Sequence, residues 1–219
     1  MRLHNYLKNN AHLTKSELMV LYNNNEILVN EKIESLVYEV SDSDIITVKG
    51  VRVEAVPIVY YLYNKPIGVT CTNSSDKENS LNDLPIKEKI FSVGRLDKDS
   101  HGLLILTNDG KLSDSLLNPI KHVEKEYIVK VSKDLDDEFI YKMTKGVDIG
   151  GYITKPCEAK LIDTRTFSII LTEGKNRQIR KMTKACGNYV VDLERVRIGN
   201  IKLGNLSLGE IRKVEEIKA

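Results

Sequence analysis

A chain of 219 residues that is 41% hydrophobic and 29% charged can bury a sizeable core, which excludes a largely disordered protein. The formal net charge of +2 does not indicate nucleic-acid binding by itself, so any basic surface must be local. The three cysteines and four histidines lack metal-ligand spacing, and we expect no metal site. Because the chain shows neither a signal-like N-terminus nor an apolar run of membrane length, we expect a cytoplasmic protein that binds no membrane.

The first part of the chain predicts two helices followed by two short strands. Leu3, Tyr6 and Leu7 recur at helical spacing. Thr14 and Glu17 stand three residues apart before further apolar residues, a pattern typical of the capping box that starts a helix. Short apolar runs then predict strands over residues 27–30 and 44–48.

This order of elements resembles the small S4-type RNA-binding module, so the resemblance implies an α/β RNA-binding domain at the N-terminus. Residues 1–57 nevertheless hold six basic and eight acidic residues. Lys15 is the cation that follows the capping threonine, where S4 modules commonly carry arginines, and it is the predicted RNA contact of this domain. Phosphate affinity grows with the number of cationic contacts, so we expect weak RNA binding here. A packing domain with little RNA contact remains the alternative.

A domain boundary is predicted at Pro57, because proline restricts the residue before it to extended backbone. We therefore expect one domain over residues 1–57 and a larger one over residues 58–219. The β-branched and aromatic residues 58–62 predict a strand. Residues 64–68 read N-K-P-I-G and predict a turn, since proline fixes φ and glycine allows a positive φ.

The most informative stretch runs from residue 94 to residue 110 and reads G-R-L-D-K-D-S-H-G-L-L-I-L-T-N-D-G. A polar loop leads into the apolar residues 102–107, which predict a buried strand, and N-D-G ends it. Asp97 and Asp99 therefore lie on a loop that a rigid strand can hold in place. A single aspartate in a polar loop is usually exposed and without function.

The whole string, together with N-K-P-x-G, resembles the signature of RNA pseudouridine synthases, specifically the RsuA-like family that modifies ribosomal RNA. That family usually has threonine where this chain has Ser100. The resemblance implies that Asp97 is the catalytic aspartate. Arg95, two residues earlier, is placed to contact the displaced RNA backbone or to fill the space that the target base vacates.

A second motif follows in the strand predicted over residues 122–131. Alternation places Lys125, Tyr127 and Val129 on one face of that strand. A tyrosine beside a lysine is often an ordinary cross-strand pair. The string K-x-Y nevertheless resembles the second motif of the same family, which implies that Tyr127 is the active-site tyrosine and that Lys125 faces the RNA.

Residues 172–184 form the local basic surface that the net charge conceals, with five cations and one acid. Helical spacing places Arg177, Arg180, Lys181 and Lys184 on one face, which by itself could be a solvated helix surface. The string E-G-x-N-R-Q-I-R resembles the third motif of the family and implies that Arg180 pairs with the catalytic aspartate. The predicted RNA contacts of this segment are Lys175, Asn176, Arg177, Gln178 and Lys181.

The resemblance implies an α+β fold, in which a mixed, mainly antiparallel sheet carries the catalytic site. It also implies an isomerase that converts uridine to pseudouridine, breaking the C1′–N1 bond and forming a C1′–C5 bond. No redox step occurs, so we expect no cofactor. Asp97 could act as a nucleophile on the sugar or as the base of an elimination, and a guanidinium nearby favours its charged form.

Tyr127 can stack on the uracil, and the target base must be flipped out of its helix before it reacts. The late string R-V-R-I-G-N-I and the N-terminal module resemble small-subunit enzymes, so 16S ribosomal RNA is the predicted substrate. A 23S RNA uridine remains the alternative, as does a non-catalytic RNA-binding assembly factor. We expect a monomer that meets its RNA within a ribosomal subunit assembly intermediate.

Overall fold

The computed structural model describes residues 1–72 and 79–217, and these form two compact units, Met1–Ile58 and Val59–Ala219. Each unit has hydrophobic clusters of its own. In the described part of the chain, no helix is both long and apolar enough to cross a bilayer.

The first unit packs two helices against a small antiparallel sheet with the order β1-β2-β3. Its second helix begins with the predicted capping box: Thr14 Oγ1 accepts the Glu17 N–H at 3.2 Å, and the Glu17 carboxylate accepts the Thr14 N–H at 2.8 Å. The third strand is an addition to the predicted pattern. The elements are α1 Leu3–Asn10, α2 Lys15–Asn23, β1 Ile27–Val29, β2 Ile46–Val48 and β3 Val51–Arg52.

The second unit is built on a nine-stranded sheet of described residues with three helices beside it. Its strands are β4 Tyr60–Lys65, β5 Phe91–Val93, β6 His101–Thr107, β7 Lys125–Val131, β8 Glu158–Asp163, β9 Thr166–Leu171, β10 Val190–Ile198, β11 Ile201–Lys202 and β12 Ile211–Val214. Its helices are α3 Gly110–Leu117, α4 Asp137–Lys145 and α5 Gln178–Ala185.

The strand order is β12-β4-β6-β10-β7-β9-β8, with β5 on β6 and β11 on β10. Strands β6 and β10 pair in parallel, and the other described pairs of this sheet are antiparallel. The predicted mixed, mainly antiparallel α+β fold is therefore confirmed. The apolar residues 103–106 of β6 are fully buried, as expected for a strand that is covered on both faces.

The parallel pair of β6 and β10 needs a glycine at its start. Gly102 has a φ of 105° and lies opposite Arg195, and a Cβ atom at Gly102 would stand 2.4 Å from the Arg195 carbonyl oxygen. Only a residue without a side chain allows this approach. The polar loop before β6 is therefore held directly beside β10.

Candidate active site

A cleft of about 530 Å³ opens in the second unit, at the loop between β5 and β6. Strands β7 and β10, the segment between β9 and α5, and the first turn of α5 supply its other walls. Most of the residues that the sequence nominates line this cleft: Arg95, Asp97, Lys125, Tyr127, Lys175, Asn176, Arg177, Gln178 and Arg180. Lys181 is exposed on α5 outside the lining, and Lys15 is exposed at the start of α2 in the other unit.

Asp97 is carried by a loop whose backbone is fixed on several sides. The Ser100 N–H donates to the Asp97 carbonyl at 3.1 Å, and the Gly68 N–H donates to the Lys98 carbonyl at 2.8 Å. The Leu96 N–H donates to the Cys71 Sγ atom at 3.3 Å. The Asp97 side chain is 34% exposed and lines the cleft, so a rigid loop presents a carboxylate that substrate can reach.

The arginines around this loop are arranged differently from the predicted pattern. Arg177 makes two parallel hydrogen bonds to the Asp99 carboxylate, at 2.9 and 2.7 Å, and its Nη1 lies 4.0 Å from Asp97 Oδ2. Arg180 Nη2 donates to the Asp99 carbonyl at 2.6 Å, and its Nε lies 3.3 Å from Asp99 Oδ2. The predicted pair of Arg180 with Asp97 is therefore wrong for this structure: Arg180 pairs with Asp99, and Arg177 reaches Asp97.

The position at which α5 starts explains why Arg177, and not Arg180, reaches Asp97. The helix begins at Gln178, and Arg177 is its N-cap residue with a left-handed φ of 52°. Arg177 therefore does not continue the helical face of Lys181 and Lys184, and it turns toward the Asp97 loop. The hydrogen bonds from Arg177 hold the pKa of the Asp99 carboxyl below its usual value, although burial acts in the opposite direction.

Tyr127 lies on β7, which runs between β10 and β9. It stands opposite Arg195 on one side and Ile169 on the other, half-buried, with its ring packed against the core below the cleft. Lys125, on the same face of the strand, donates from Nζ to the Val123 carbonyl at 3.1 Å. Burial lowers the pKa of Lys125, and the nearby Arg195 charge lowers it further.

Two buried cations beside the catalytic loop are not among the residues nominated from the sequence. Lys65 is 0% exposed, and its Nζ donates to the carbonyls of Pro66 and Val69, both at 2.9 Å. Burial lowers the pKa of Lys65. Arg195 is 2% exposed, and it donates from Nε to the Leu103 carbonyl at 2.8 Å and from Nη1 to the Arg95 carbonyl at 3.4 Å.

In the sequence, each of these two residues is a cation within a motif that resembles the family. The N-K-P-I-G string predicted a turn, but β4 extends through Lys65, which places its side chain in the interior. Arg195 sits in the R-V-R-I-G string at the parallel junction with Gly102. Neither position could be recognised as buried without knowledge of the neighbouring strands.

The segment before α5 is organised by Glu173. Gln178 is 4% exposed, with its Nε2 donating to Glu173 Oε1 at 2.9 Å and its Oε1 accepting the Lys175 N–H at 2.9 Å. The Gln178 side chain therefore ties the residues before α5 together, and its RNA contact stays a prediction. Lys175 Nζ lies 4.2 Å from the centre of the Tyr152 ring, and Tyr152 also donates to Glu173. Lys175 and Asn176 are exposed at the mouth of the cleft.

Residues 59–185 match the family model described as RNA pseudouridylate synthase. The matched segment contains the Asp97 loop, Tyr127 and the first turns of α5, which all line the cleft. The chain therefore belongs to the RNA pseudouridylate synthase family, and it is an isomerase that acts on uridine in RNA.

Individual relatives agree with this assignment over nearly the whole chain. The dual-specificity RNA pseudouridine synthase RluF of Escherichia coli (strain K12) is 36% identical over 220 residues, which cover 99% of this chain and 76% of the relative. The ribosomal large subunit pseudouridine synthase B of Bacillus subtilis (strain 168) is 36% identical over 180 residues, covering 78% of this chain and 74% of that protein. A crystal structure of a pseudouridylate synthase superposes with a TM-score of 0.69 at 29% identity, covering 98% of this chain and 96% of that one.

Proposed function

We propose that this protein isomerises a specific uridine of ribosomal RNA to pseudouridine, with Asp97 as the group that acts on the sugar. The observation that carries the proposal is the position of Asp97, on a fixed loop and open to a cleft with cations on several sides. A carboxylate in such a place can act as a nucleophile at C1′ or as the base of an elimination. Both routes fit the same geometry.

The other side chains of the cleft have distinct roles in this proposal. The ring of Tyr127 stacks on the flipped uracil and keeps it in place after the glycosidic bond has broken. Arg177 faces Asp97 directly, and Arg180 acts one step further away by holding the Asp99 backbone. The exposed Lys175, Asn176 and Arg95 at the mouth contact phosphates on either side of the target nucleotide.

Two ribosomal RNAs are candidate substrates. The motif strings and the N-terminal unit favour small-subunit RNA, as the sequence predicts. One relative that is 36% identical carries large-subunit RNA in its name, and another is called dual-specificity. We therefore place a large-subunit uridine first and a small-subunit uridine second. The S4-like role of residues 1–57, with Lys15 as an RNA contact, belongs to the same proposal.

The decisive experiment measures tritium release from C5-labelled uridine in purified large- and small-subunit RNA and in the corresponding ribosomal particles. Wild type is compared with Asp97→Asn and with Asp114→Asn, which changes an exposed aspartate on α3 away from the cleft. We expect release from one RNA, abolished in Asp97→Asn and unchanged in Asp114→Asn. The RNA from which tritium is released identifies the subunit that carries the target uridine.

A second candidate function is a non-catalytic assembly factor that binds RNA through the same cleft. Tritium release from neither RNA, free or in particles, together with tight binding of one of them, would favour this function. Release that persists in Asp97→Asn would instead contradict the role proposed for Asp97.

A further inference from the structure

The Arg195 guanidinium uses only part of its hydrogen-bonding capacity. Its Nε and Nη1 atoms hold the carbonyls of Leu103 and Arg95, one on either side of Asp97 in the chain. Its Nη2 atom is buried and has no hydrogen-bond partner among the described residues. The side chain nevertheless lines the active-site cleft.

A buried donor on a charged group is unfavourable when it has no acceptor. In the described part of the chain, no carboxylate lies within ion-pair distance of Arg195, whereas Arg197, two residues later on β10, pairs with Glu124 and Glu126 at 3.0 and 2.7 Å. Lys125 and Lys65 add further positive charge beside Arg195. The geometry therefore favours an electron-rich oxygen that enters the cleft and meets Nη2.

The deep position of Arg195 in the cleft limits which substrate oxygen can reach its Nη2 atom. Arg177, whose side chain is 43% exposed, and the exposed Lys175 lie where a phosphate can approach. Arg195 is 2% exposed and stands opposite Tyr127, the residue on which the base stacks. A group that reaches this level of the cleft beside Tyr127 is the flipped base itself.

We propose that Arg195 is a base-recognition residue, whose Nη2 donates a hydrogen bond to a carbonyl oxygen of the flipped uracil. This inference rests on the proposed stacking of uracil on Tyr127. When the C1′–N1 bond breaks, its electron pair goes to the base, and negative charge grows on the two uracil carbonyl oxygens. A guanidinium donor at one of them is therefore stronger after bond cleavage than before it, which helps the reaction more than it helps binding.

The test uses oligonucleotides that span the converted site, with uridine, 2-thiouridine or 4-thiouridine at the target position. Sulfur is a weaker acceptor than oxygen, so wild type should convert one of the two thio substrates about 10-fold more slowly than uridine in single turnovers. Arg195→Lys and Arg195→Gln should lower kcat by about 10- to 100-fold with little change in KM, and the penalty for sulfur should disappear.

Arg197→Lys is the matched control, because it changes a partly buried arginine of the same strand that lies outside the cleft lining. This variant should retain both the rate and the sensitivity to sulfur. Equal conversion of all three oligonucleotides by wild type would overturn the proposal whether or not the Arg195 variants fold. A sulfur penalty that persists in Arg195→Gln, whose neutral side chain is two atoms shorter, would also overturn it, by assigning the contact to another donor.

If the proposed ribosomal substrate is wrong, the experiment gives a result that differs from failure of the Arg195 proposal. In that case wild type would convert none of the uridine oligonucleotides taken from ribosomal RNA, and the thio substitutions would be placed in the RNA that the enzyme does convert. Loss of the sulfur penalty in Arg195→Lys on that RNA would still support base recognition by Arg195.

Discussion

The active-site cleft holds its cations in two different ways. At the rim, which we define as Arg177 and Arg180, each guanidinium pairs with the Asp99 carboxylate and the arrangement is partly exposed. At the floor, which we define as Lys65, Lys125 and Arg195, two of the cations are buried and Lys125 is partly buried, and backbone carbonyls accept their hydrogen bonds. Asp97 lies between the two regions.

The difference shows how one cleft can bind a polyanion and also act on a neutral base. The rim pairs are partly exposed, so an RNA phosphate can approach Arg177. The floor cations are fixed, and among the described residues no carboxylate pairs with them. Their positive potential acts on the Asp97 carboxylate, which lines the cleft. It also acts on the negative charge that develops on a bound uracil.

The largest loss of activity should come from changing Asp97, which lies between the rim and the floor. Asp97→Asn should lower single-turnover pseudouridine formation by at least about 10³-fold, because we propose that the carboxylate is the reacting group. The free energy of unfolding should change by less than about 0.5 kcal/mol, since the contact with Arg177 is long and partly exposed. Urea unfolding measured beside the rate checks both parts. A large loss of stability would make Asp97 a structural residue instead.

The next effect concerns the floor. Lys65→Met should lower kcat by about 10- to 100-fold, because Lys65 fixes residues 66–69 and the Gly68 N–H in turn holds the Lys98 carbonyl. Tritium release under saturating RNA measures this effect. Lys111→Met changes an exposed lysine of α3 and is the matched control.

Lys65→Met should also alter how stability depends on pH. The folded protein lowers the pKa of Lys65, whereas the unfolded chain keeps that proton until about pH 10.4. Between these values the unfolded state binds more protons, so wild-type stability should rise with pH relative to Lys65→Met. Urea unfolding of both proteins from pH 7 to pH 10 measures the difference. If the difference in free energy of unfolding between the two proteins stays constant with pH, the pKa of Lys65 is not lowered in the folded state.

At the rim, Asp99→Asn should have a smaller effect, with activity lowered by about 10-fold and stability by about 1 kcal/mol or less, because the pairs are partly exposed. The pKa of Asp99 is lowered in the folded state, so its contribution is present above the unfolded value of about 3.9 and is lost as pH falls below it. Wild type and Asp99→Asn should therefore begin to converge in stability only as pH falls below about 4, as measured by thermal unfolding.

The smallest effect separates phosphate contacts from base contacts. Lys181→Gln removes an exposed cation of α5 and should reduce the salt dependence of RNA affinity by about 0.7 to 0.9 in log–log slope, with kcat unchanged. Arg195→Lys should leave that slope unchanged while lowering kcat. An equal loss of slope in both variants would remove the distinction between the phosphate contact of Lys181 and the base contact of Arg195.

The sequence predicts the catalytic loop and the strand behind it because a polar string followed by an apolar run has few alternative structures. It does not predict which arginine reaches Asp97, because a helix start one residue later turns Arg177 out of the helical face. It also does not predict the floor. Lys65 and Arg195 are buried through the pairing of β6 with β4 and β10, and strand order is not encoded in local periodicity.

The parallel junction at Gly102 also makes the cleft depend on a late part of the chain. Arg195 and Leu103 lie 92 residues apart in the chain, and the cleft is incomplete until β10 has docked beside β6. Contacts of such long sequence separation form slowly, because the closure of the intervening chain must come first. A nascent chain that has not yet extended past β10 therefore has the Asp97 loop but lacks Arg195 and one wall of the cleft.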